Sequence, residues 1–403
     1  MKKIRSIFGN TFLVVLSLLL CVGGAEAVLR VFCPQYKYAA LSQKMSNRTR
    51  IYANIPNATE IYKSPDSDQK HIVHFNSLGL RQNRDFLLVK PENVVRIGFL
   101  GDSYTANLRM PVEYSFTEPL DFMLNASGIA AEVLNFGVDG YGPDQELLQL
   151  EDEVLLLKPD YVFYVYCSND IRNVLENKLY KIDRSGELQY IPYDQSLTKD
   201  ILKNFYLTYF VYDILSRMGL SKNSSPLGTS TELVQKLCNE MFYNLNTNKY
   251  IEVENDFIQH RETELTQAAT ALFAKLVIKM KNDCINNGTQ FSVILLPGDN
   301  KSISSLLQQS GVDYYDLTFD FENYKSMSVH STKFKNDGHW NEEGNKVAAE
   351  ALYRYIAKKM QIRDAVNPWA LLGMYYAALP NCRVSQDGLV DVPLPVKDRE
   401  RLY

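Results

Sequence analysis

The chain has 403 residues, of which 46% are hydrophobic and 22% charged, so it can bury one large core or two modest ones and does not have the composition of a disordered protein. The 43 basic and 47 acidic residues are interspersed and give a formal net charge of −4. This balance leaves no basic stripe that would follow a phosphate backbone, so nucleic acid is excluded as an expected partner.

The first segment, residues 1–27, differs from the rest in hydropathy. Lys2, Lys3 and Arg5 precede an uncharged run of 19 residues at 7–25. Such a run can just span a hydrocarbon core of about 30 Å, with the basic residues on the cytoplasmic side. The alternative is a signal peptide cleaved after the Ala-Glu-Ala sequence at 25–27. The uncleaved membrane anchor is favoured because the run is longer than the usual apolar part of a signal peptide. Both interpretations predict that the rest of the chain is exported to the periplasm or the extracellular space. It is membrane-anchored in the first interpretation and secreted in the second.

The remaining chain divides by its pattern of apolar residues. Residues 28–92 are polar and rich in turn-forming residues, which predicts a linker and a small lead-in with strands. Residues 93–362 alternate short apolar runs with amphipathic stretches, as βαβ units of a parallel sheet do. The predicted strands are 94–100, 132–136, 160–167, 291–296 and 313–317. The expected fold class is α/β, a three-layer α/β/α sandwich with a mostly parallel sheet, preceded by the N-terminal transmembrane helix.

Three amphipathic helices are predicted in this region. The first begins at Pro143, whose ring suits a first helical turn, and stops before Pro159. The second covers about residues 259–284, and the third begins at Asn341 with two glutamates in its first turn. Residues 171–258 break the alternation and are crowded with aromatic residues, which predicts a helical insertion that acts as a cap. A C-terminal tail, residues 363–403, carries apolar residues whose packing partner the sequence does not specify.

Four polar segments lie at the ends of these predicted elements. Three of them end the first three strands, and the fourth precedes the last helix. They are Gly101-Asp102-Ser103, Asn135-Phe136-Gly137, Ser168-Asn169-Asp170 and Asp337-Gly338-His339. The carboxyl ends of parallel strands meet at one edge of a sheet, where helix N-termini and loop N–H groups bind ligands. We therefore expect the four segments to converge.

Together the segments supply the parts that acyl transfer requires. That chemistry needs a hydroxyl nucleophile, a base, a carboxylate that orients the base, and donors for the developing oxyanion. Ser103 is the candidate nucleophile and His339 the candidate base. Asp337 is the preferred orienting carboxylate, with Asp316 and Asp320 as rivals because they lie at and just after the end of the last predicted strand. A lone Gly-Asp-Ser indicates only a strand-to-helix turn, whereas the full set favours catalysis.

In these segments the chain resembles the SGNH hydrolase superfamily, also called GDSL esterases, over about residues 93–362 with an interruption at 171–258. The resemblance implies that Ser103 is the nucleophile and that His339 is the general base, oriented by Asp337. It also implies an oxyanion hole formed by the Ser103 N–H with Gly137 and Asn169. Two positions depart from the family pattern: Cys167 stands where a glycine is common, and Asp337 precedes His339 by two residues instead of three.

A narrower resemblance concerns the lead-in sequence Asn76-Ser77-Leu78-Gly79-Leu80-Arg81 and the Asp-Gly-His-Trp form of the last segment. Both are similar to the exported, membrane-anchored branch related to exopolysaccharide O-acetyl transfer proteins. This resemblance implies a serine esterase that acts on O-acetyl groups of a cell-surface or secreted glycan. An O-acetyltransferase of the same fold and an esterase of lipids or of other acylated small molecules remain alternatives.

A non-catalytic glycan-binding assembly protein is the alternative from another functional class. The intact set of Ser103, Asn169 and His339 argues against it, because a binding module does not need those residues. The six cysteines show neither CxxC nor Cys/His ligand spacing, so no metal site is predicted, and no cofactor is expected.

Overall fold

The computed structural model describes residues 2–32, 44–47, 49–193, 207, 247–362, 366–379, 383–384 and 389–391. The chain divides into two compact units, Met1–Arg48 with Asp194–Asn248, and Thr49–Tyr193 with Lys249–Tyr403. In the first unit the uncharged run at 7–25 lies within helix α1 (Lys2–Phe32), and strand β1 (Lys44–Asn47) follows. Within the described residues, no helix combines the length and the hydropathy needed to cross a membrane, so the anchor stays a prediction.

The remaining elements alternate along the chain. The strands after β1 are β2 (Ile51–Asn54), β3 (Thr59–Lys63), β4 (Lys70–His74), β5 (Val95–Gly101), β6 (Ala131–Asn135), β7 (Tyr161–Tyr166), β8 (Tyr180–Ile182), β9 (Leu188–Tyr190), β10 (Gln290–Leu295), β11 (Tyr314–Asp316), β12 (Arg383–Val384) and β13 (Leu389–Asp391). The α-helices after α1 are α2 (Ser103–Ala106), α3 (Thr117–Ala126), α4 (Pro143–Gln149), α5 (Asp170–Asn177), α6 (Thr247–Ile258), α7 (Glu264–Asn286), α8 (Lys301–Gln309), α9 (Thr318–Met327), α10 (Glu342–Lys359) and α11 (Pro368–Ala378).

Five of these strands form one parallel sheet, in the order β11-β10-β7-β5-β6. They are the five apolar runs predicted from the sequence, and every boundary lies within one residue of the predicted one. Continuous apolar runs mark strands that are covered on both faces, as in parallel sheets. The predicted mostly parallel sheet is therefore confirmed.

The two faces of the sheet bury separate cores because successive side chains of a strand point to opposite sides. In β7, Val162 and Tyr164 pack with residues of α4, α5, α7 and α8. Phe163 and Val165 face the other way and pack with residues of α3, α9, α10 and α11. Helices thus cover both faces, and the unit has three layers.

The helix boundaries differ from the predicted ones where local caps override the periodicity. The helix predicted from residue 259 begins at Glu264, because His260 adopts a positive φ of 55° and Thr263 caps the first turn. The helix that starts at Pro143 is α-helical only to Gln149 and continues as a π turn and a 3₁₀ turn before Pro159. The last predicted helix begins at Glu342 with Asn341 as its N-cap, as expected.

The insertion and the tail were the least specified parts of the sequence. Of the insertion at 171–258, the described residues form most of α5, the antiparallel β8–β9 hairpin and α6. Its aromatic run at 205–212 lies outside the described residues apart from Leu207. In the tail, Leu371 and Leu372 of α11 join the same core as residues of α3 and α10, and β13 pairs in parallel with β4 of the lead-in.

Candidate active site

Ser103 lies where strand β5 turns into a short helix at the carboxyl edge of the sheet. Strand β5 ends at Gly101, and Ser103 is the first residue of α2, which Asp102 caps through the Tyr104 N–H. The turn requires glycine at 101, because a Cβ there would come within 2.1 Å of Thr105 Oγ1. The tight turn leaves the Ser103 side chain half-buried at the edge of the sheet.

Three residues predicted for acyl transfer form a hydrogen-bonded chain. Ser103 Oγ lies 2.7 Å from His339 Nε2, although the two residues are 236 positions apart. His339 Nδ1 contacts Asp337 Oδ1, which also accepts the backbone N–H of His339 at 2.9 Å. The tight turn at Gly338 thus lets one carboxylate oxygen hold both the backbone and the ring of His339. The arrangement leaves Nε2 directed at the serine hydroxyl.

The second oxygen of Asp337 faces a cation that the sequence did not reveal. Arg109 Nε lies 3.4 Å from Asp337 Oδ2, and Arg109 Nη1 donates to Asp139 Oδ1 at 2.9 Å. Burial acts to raise the pKa of Asp337, but the hydrogen bonds from His339 and the charge of Arg109 outweigh it, so the net pKa is lowered. Asp337 therefore stays ionised at neutral pH beside the imidazole.

The loop that carries His339 is held from two sides. Tyr104 OH donates to Gly338 O at 2.9 Å, and the Tyr104 ring lies 4.7 Å from the imidazole, centroid to centroid. On the other side, Asp66 accepts the N–H groups of Lys335 and Asn336 at 2.7 and 2.8 Å. Asp66 belongs to the turn between β3 and β4, so the lead-in directly supports the loop that carries His339.

Asn169 reaches the same edge from the end of β7. Its Nδ2 donates to Asp102 Oδ2 at 3.1 Å, and the Ser103 hydroxyl lies 3.4 Å from that same oxygen. A side-chain amide has two N–H groups, so one remains for a ligand when the other binds Asp102. Burial raises the pKa of Asp102, against the opposing hydrogen bonds from Tyr104 N and Asn169. Burial also raises the pKa of the neighbouring Cys167 thiol, which disfavours a competing thiolate.

Gly137, expected in the oxyanion hole, is placed differently. Its N–H donates to Asn135 Oδ1 at 2.9 Å, and a Cβ at this position would lie 2.2 Å from Ala106 N. The donor assigned from the sequence is therefore engaged elsewhere, and the glycine is required for close packing against α2. This contact could not be predicted from the sequence, because the hydrogen bond depends on the rotamer of Asn135.

A second glycine in the same loop, Gly140, differs from Gly137 in the state of its backbone N–H. Gly140, at a φ of 80°, lies in the turn at 138–141, which closes through a hydrogen bond of 3.0 Å from Tyr141 N to Val138 O. Its carbonyl accepts Tyr52 OH at 2.8 Å, and the neighbouring Asp139 pairs with Arg109. Within the described residues, no hydrogen bond engages the Gly140 N–H.

The two rival carboxylates bind residues other than His339. Asp316 Oδ1 accepts Asn300 Nδ2 and the Thr318 N–H, both at 2.9 Å. Asp320 forms an ion pair with Arg354 and accepts Tyr315 OH at 2.8 Å. Of the three candidate carboxylates, only Asp337 contacts the imidazole.

Within the described ranges, no group of three or more His, Cys, Asp or Glu side chains is arranged to hold a metal ion.

Fold and site together define an α/β protein with a Ser–His–Asp set at the carboxyl edge of a parallel sheet. No family model matches the chain, and no curated protein matches it. Among solved structures it is similar to LAE5, an alpha/beta hydrolase enzyme from the metagenome of Lake Arreo, Spain, at 13% identity and a TM-score of 0.35, over 64% of this chain and 94% of that one. It is also similar to Axe2, an acetylxylan esterase from Geobacillus stearothermophilus, at 12% identity and a TM-score of 0.35, over 65% and 94%. A third similar structure is TesA, at 11% identity and a TM-score of 0.36, over 65% and 98%. Sequence identities of 11–13% with TM-scores of 0.35–0.36 do not establish an activity for this chain.

Proposed function

We propose that the protein is a serine esterase, an acyl hydrolase with Ser103 as nucleophile. The observation that carries the proposal is the hydrogen-bonded chain from Ser103 Oγ through the His339 ring to Asp337, with 2.7 Å between the hydroxyl and Nε2. This distance lies within the reach that proton transfer from nucleophile to base requires.

The first half of the reaction forms an acyl-enzyme. As Ser103 Oγ attacks the carbonyl carbon of an ester, its proton passes to His339 Nε2. Asp337, held ionised, stabilises the imidazolium through Nδ1 and keeps the ring in the productive tautomer. When the tetrahedral intermediate collapses, the carbon–oxygen bond to the alcohol breaks and the departing oxygen takes the proton from His339. In the second half, water attacks the acyl carbon and gives its proton to His339. The bond from that carbon to Ser103 Oγ then breaks, Ser103 Oγ takes the proton from His339, and the carboxylic acid leaves.

The tetrahedral oxyanion needs donors placed before the reaction begins. In the proposed site these are the backbone N–H of Ser103, the free N–H of the Asn169 amide and the N–H of Gly140. Gly140 replaces Gly137 in this role because the Gly137 N–H donates to Asn135. The turn that carries Gly140 is tied to the Ser–His–Asp set through Asp139 and Arg109.

The acyl group that we propose is acetyl on a cell-surface or secreted glycan, and the support for it is the resemblance of the lead-in and the last segment to the O-acetyl transfer branch. Water as acceptor makes the protein an esterase, whereas a sugar hydroxyl in the same position makes it an O-acetyltransferase. Initial rates on chromogenic aryl esters of increasing acyl length test the acyl preference. A rate that rises beyond butyrate favours a lipid esterase and contradicts the acetyl assignment.

The test of the esterase proposal compares the wild type with Ser103→Ala on a chromogenic aryl acetate. Ser103→Ala is expected to reduce turnover to the uncatalysed rate while near-UV circular dichroism stays unchanged. Asp316→Asn is the matched control, because Asp316 also lies at the carboxyl edge of the sheet but accepts hydrogen bonds from Asn300 and Thr318. Equal turnover by the wild type and Ser103→Ala refutes the proposal.

We also propose export, with residues 1–27 as an uncleaved anchor. The support is the uncharged run at 7–25 behind three basic residues. Intact-mass measurement of the protein from membranes washed with carbonate is the test. Retention of Met1 through Ala27 is expected, and a mature start at Val28 in the soluble fraction decides for a cleaved signal peptide.

A further inference from the structure

The last helix of the insertion, α6, is fixed against the core of the second unit. Val253 is buried, with 1% exposure, and Tyr250 and Phe257 pack against the same hydrophobic cluster. Their spacing of three and four residues places the three side chains on one helical face. The helix is therefore a rigid support for Glu254, which follows Val253.

Glu254 binds the segment that carries Asn169 at two points. Ser168 Oγ donates to Glu254 Oε1 at 3.0 Å, and Arg172 Nη1 donates to Glu254 Oε2 at 2.8 Å. Ser168 precedes Asn169, while Arg172 belongs to α5 and donates its backbone N–H to Asn169 O at 3.0 Å. One carboxylate thus bridges the two sides of Asn169. Hydrogen bonds that include an ionised group are stronger than neutral ones, and the Arg172–Glu254 pair is mostly shielded, with side-chain exposures of 23% and 17%.

The position of Asn169 matters because its side-chain amide lies beside Asp102 and the Ser103 hydroxyl. Nδ2 lies 3.1 Å from Asp102 Oδ2, the oxygen that also faces the Ser103 hydroxyl. A donor for an oxyanion acts through a preorganised position, and a displacement of about 1 Å can cost as much as 10²-fold in rate. A group that fixes the segment on both sides of Asn169 therefore acts on the reaction without touching the substrate.

We infer that Glu254 is a positioning residue for the oxyanion hole, which it serves by holding the Asn169 segment through Ser168 and Arg172. The inference rests on the proposed function and deepens it, because it gives the insertion a role in the chemistry: α6 completes the support of the site. Glu252 is exposed on the opposite face of α6 from Glu254 and serves as a matched control.

The test is a double-mutant cycle in the full-length chain, with hydrolysis of a chromogenic aryl acetate as the readout. Glu254→Ala is expected to lower kcat by roughly 10- to 100-fold with little change in KM, since the loss falls on transition-state stabilisation. Glu254→Gln keeps an acceptor for Ser168 but loses the charge that holds Arg172, so an intermediate loss is expected. Glu252→Gln should match the wild type.

The decisive comparison is made in the Asn169→Ala background. If Glu254 acts through Asn169, then Asn169→Ala/Glu254→Ala is no slower than Asn169→Ala alone. Wild-type kcat in Glu254→Ala, or losses that multiply in the double variant, overturn the inference. Should Glu254→Ala lose its near-UV circular dichroism, the Glu254→Gln cycle decides by the same criterion. Ser103→Ala in the same assay tests the proposed function separately. If Ser103→Ala keeps its activity, the proposed function is refuted. If Ser103→Ala is inactive but the Glu254 variants match the wild type, only the positioning role of Glu254 is refuted.

Discussion

Asp337→Asn removes the negative charge of the carboxylate while keeping a side chain of nearly the same size and shape. Asp337 accepts the backbone N–H and the ring of His339 through Oδ1 and faces Arg109 through Oδ2. An asparagine has one acceptor oxygen. If that oxygen stays on His339, the amide N–H₂ meets the Arg109 guanidinium, donor against donor. If the amide flips, it donates to Nδ1 and fixes the tautomer with a proton on Nε2, which cannot take a proton from Ser103.

Both orientations damage catalysis, and both remove the charge that stabilises the imidazolium. We expect kcat to fall by about 10⁴, close to 5.5 kcal/mol at 1.36 kcal/mol per decade, as for the loss of an orienting carboxylate in serine hydrolases. The assay is initial-rate hydrolysis of an aryl acetate at pH 8, with near-UV circular dichroism as the folding control. Asp316→Asn and Asp320→Asn are the comparison variants. Turnover in Asp337→Asn within tenfold of the wild type, or an equal collapse in either comparison variant, refutes Asp337 as the orienter.

Three other predictions concern donors, charge and pH. Asn169→Ala should lower kcat by about 10²–10³ in steady-state kinetics, the usual loss for one oxyanion donor. Full activity in this variant contradicts the role of Asn169 as an oxyanion donor. Arg109→Gln should lower kcat about tenfold through the lost charged hydrogen bond to Asp337, with partial recovery in Arg109→Lys; an unchanged kcat contradicts this. Burial lowers the pKa of His71 to about 4. The hydrogen bond to Leu108 O opposes this shift, and the charge of Arg81 adds to it. The unfolded chain, with a His pKa of about 6.5, therefore binds more protons, and the stabilisation present above pH 6.5 is lost as pH falls towards 4. Denaturant unfolding at pH 7.5 and 4.5 should show the wild type losing about 2.5 kcal/mol more than His71→Gln, and parallel losses contradict the assignment.

The central sheet was predictable because strands that are buried on both faces appear in the sequence as continuous apolar runs. Five continuous apolar runs predicted β5, β6, β7, β10 and β11 within one residue. The convergence of Ser103, Asn169 and His339 followed from the same reasoning, since parallel strands bring their carboxyl ends to one edge. Asp337 could be preferred over its rivals because the local turn at Gly338 allows it to reach the ring.

The supports of the site were not predictable, because each depends on contacts between residues far apart in sequence. Arg109 meets Asp337 across 228 positions, and Asp66 meets Asn336 across 270. Gly137 was predicted as an oxyanion donor because a glycine after a strand fits both a donor and a packing role, whereas its N–H donates to the Asn135 side chain, a contact that the sequence does not specify. The aromatic-rich insertion was predicted to be helical, but nothing in its sequence indicated that Glu254 would bridge Ser168 and Arg172.

The central claim is that His339 activates the Ser103 hydroxyl, and covalent labelling by a fluorophosphonate tests it most directly. Such a probe reacts with an activated serine and leaves a phosphonyl group whose position tandem mass spectrometry reports. We predict a single adduct on Ser103 in the full-length protein, slowed by orders of magnitude in His339→Ala and absent in Ser103→Ala. An unlabelled wild-type protein, or an adduct that forms equally fast in His339→Ala, would contradict the account.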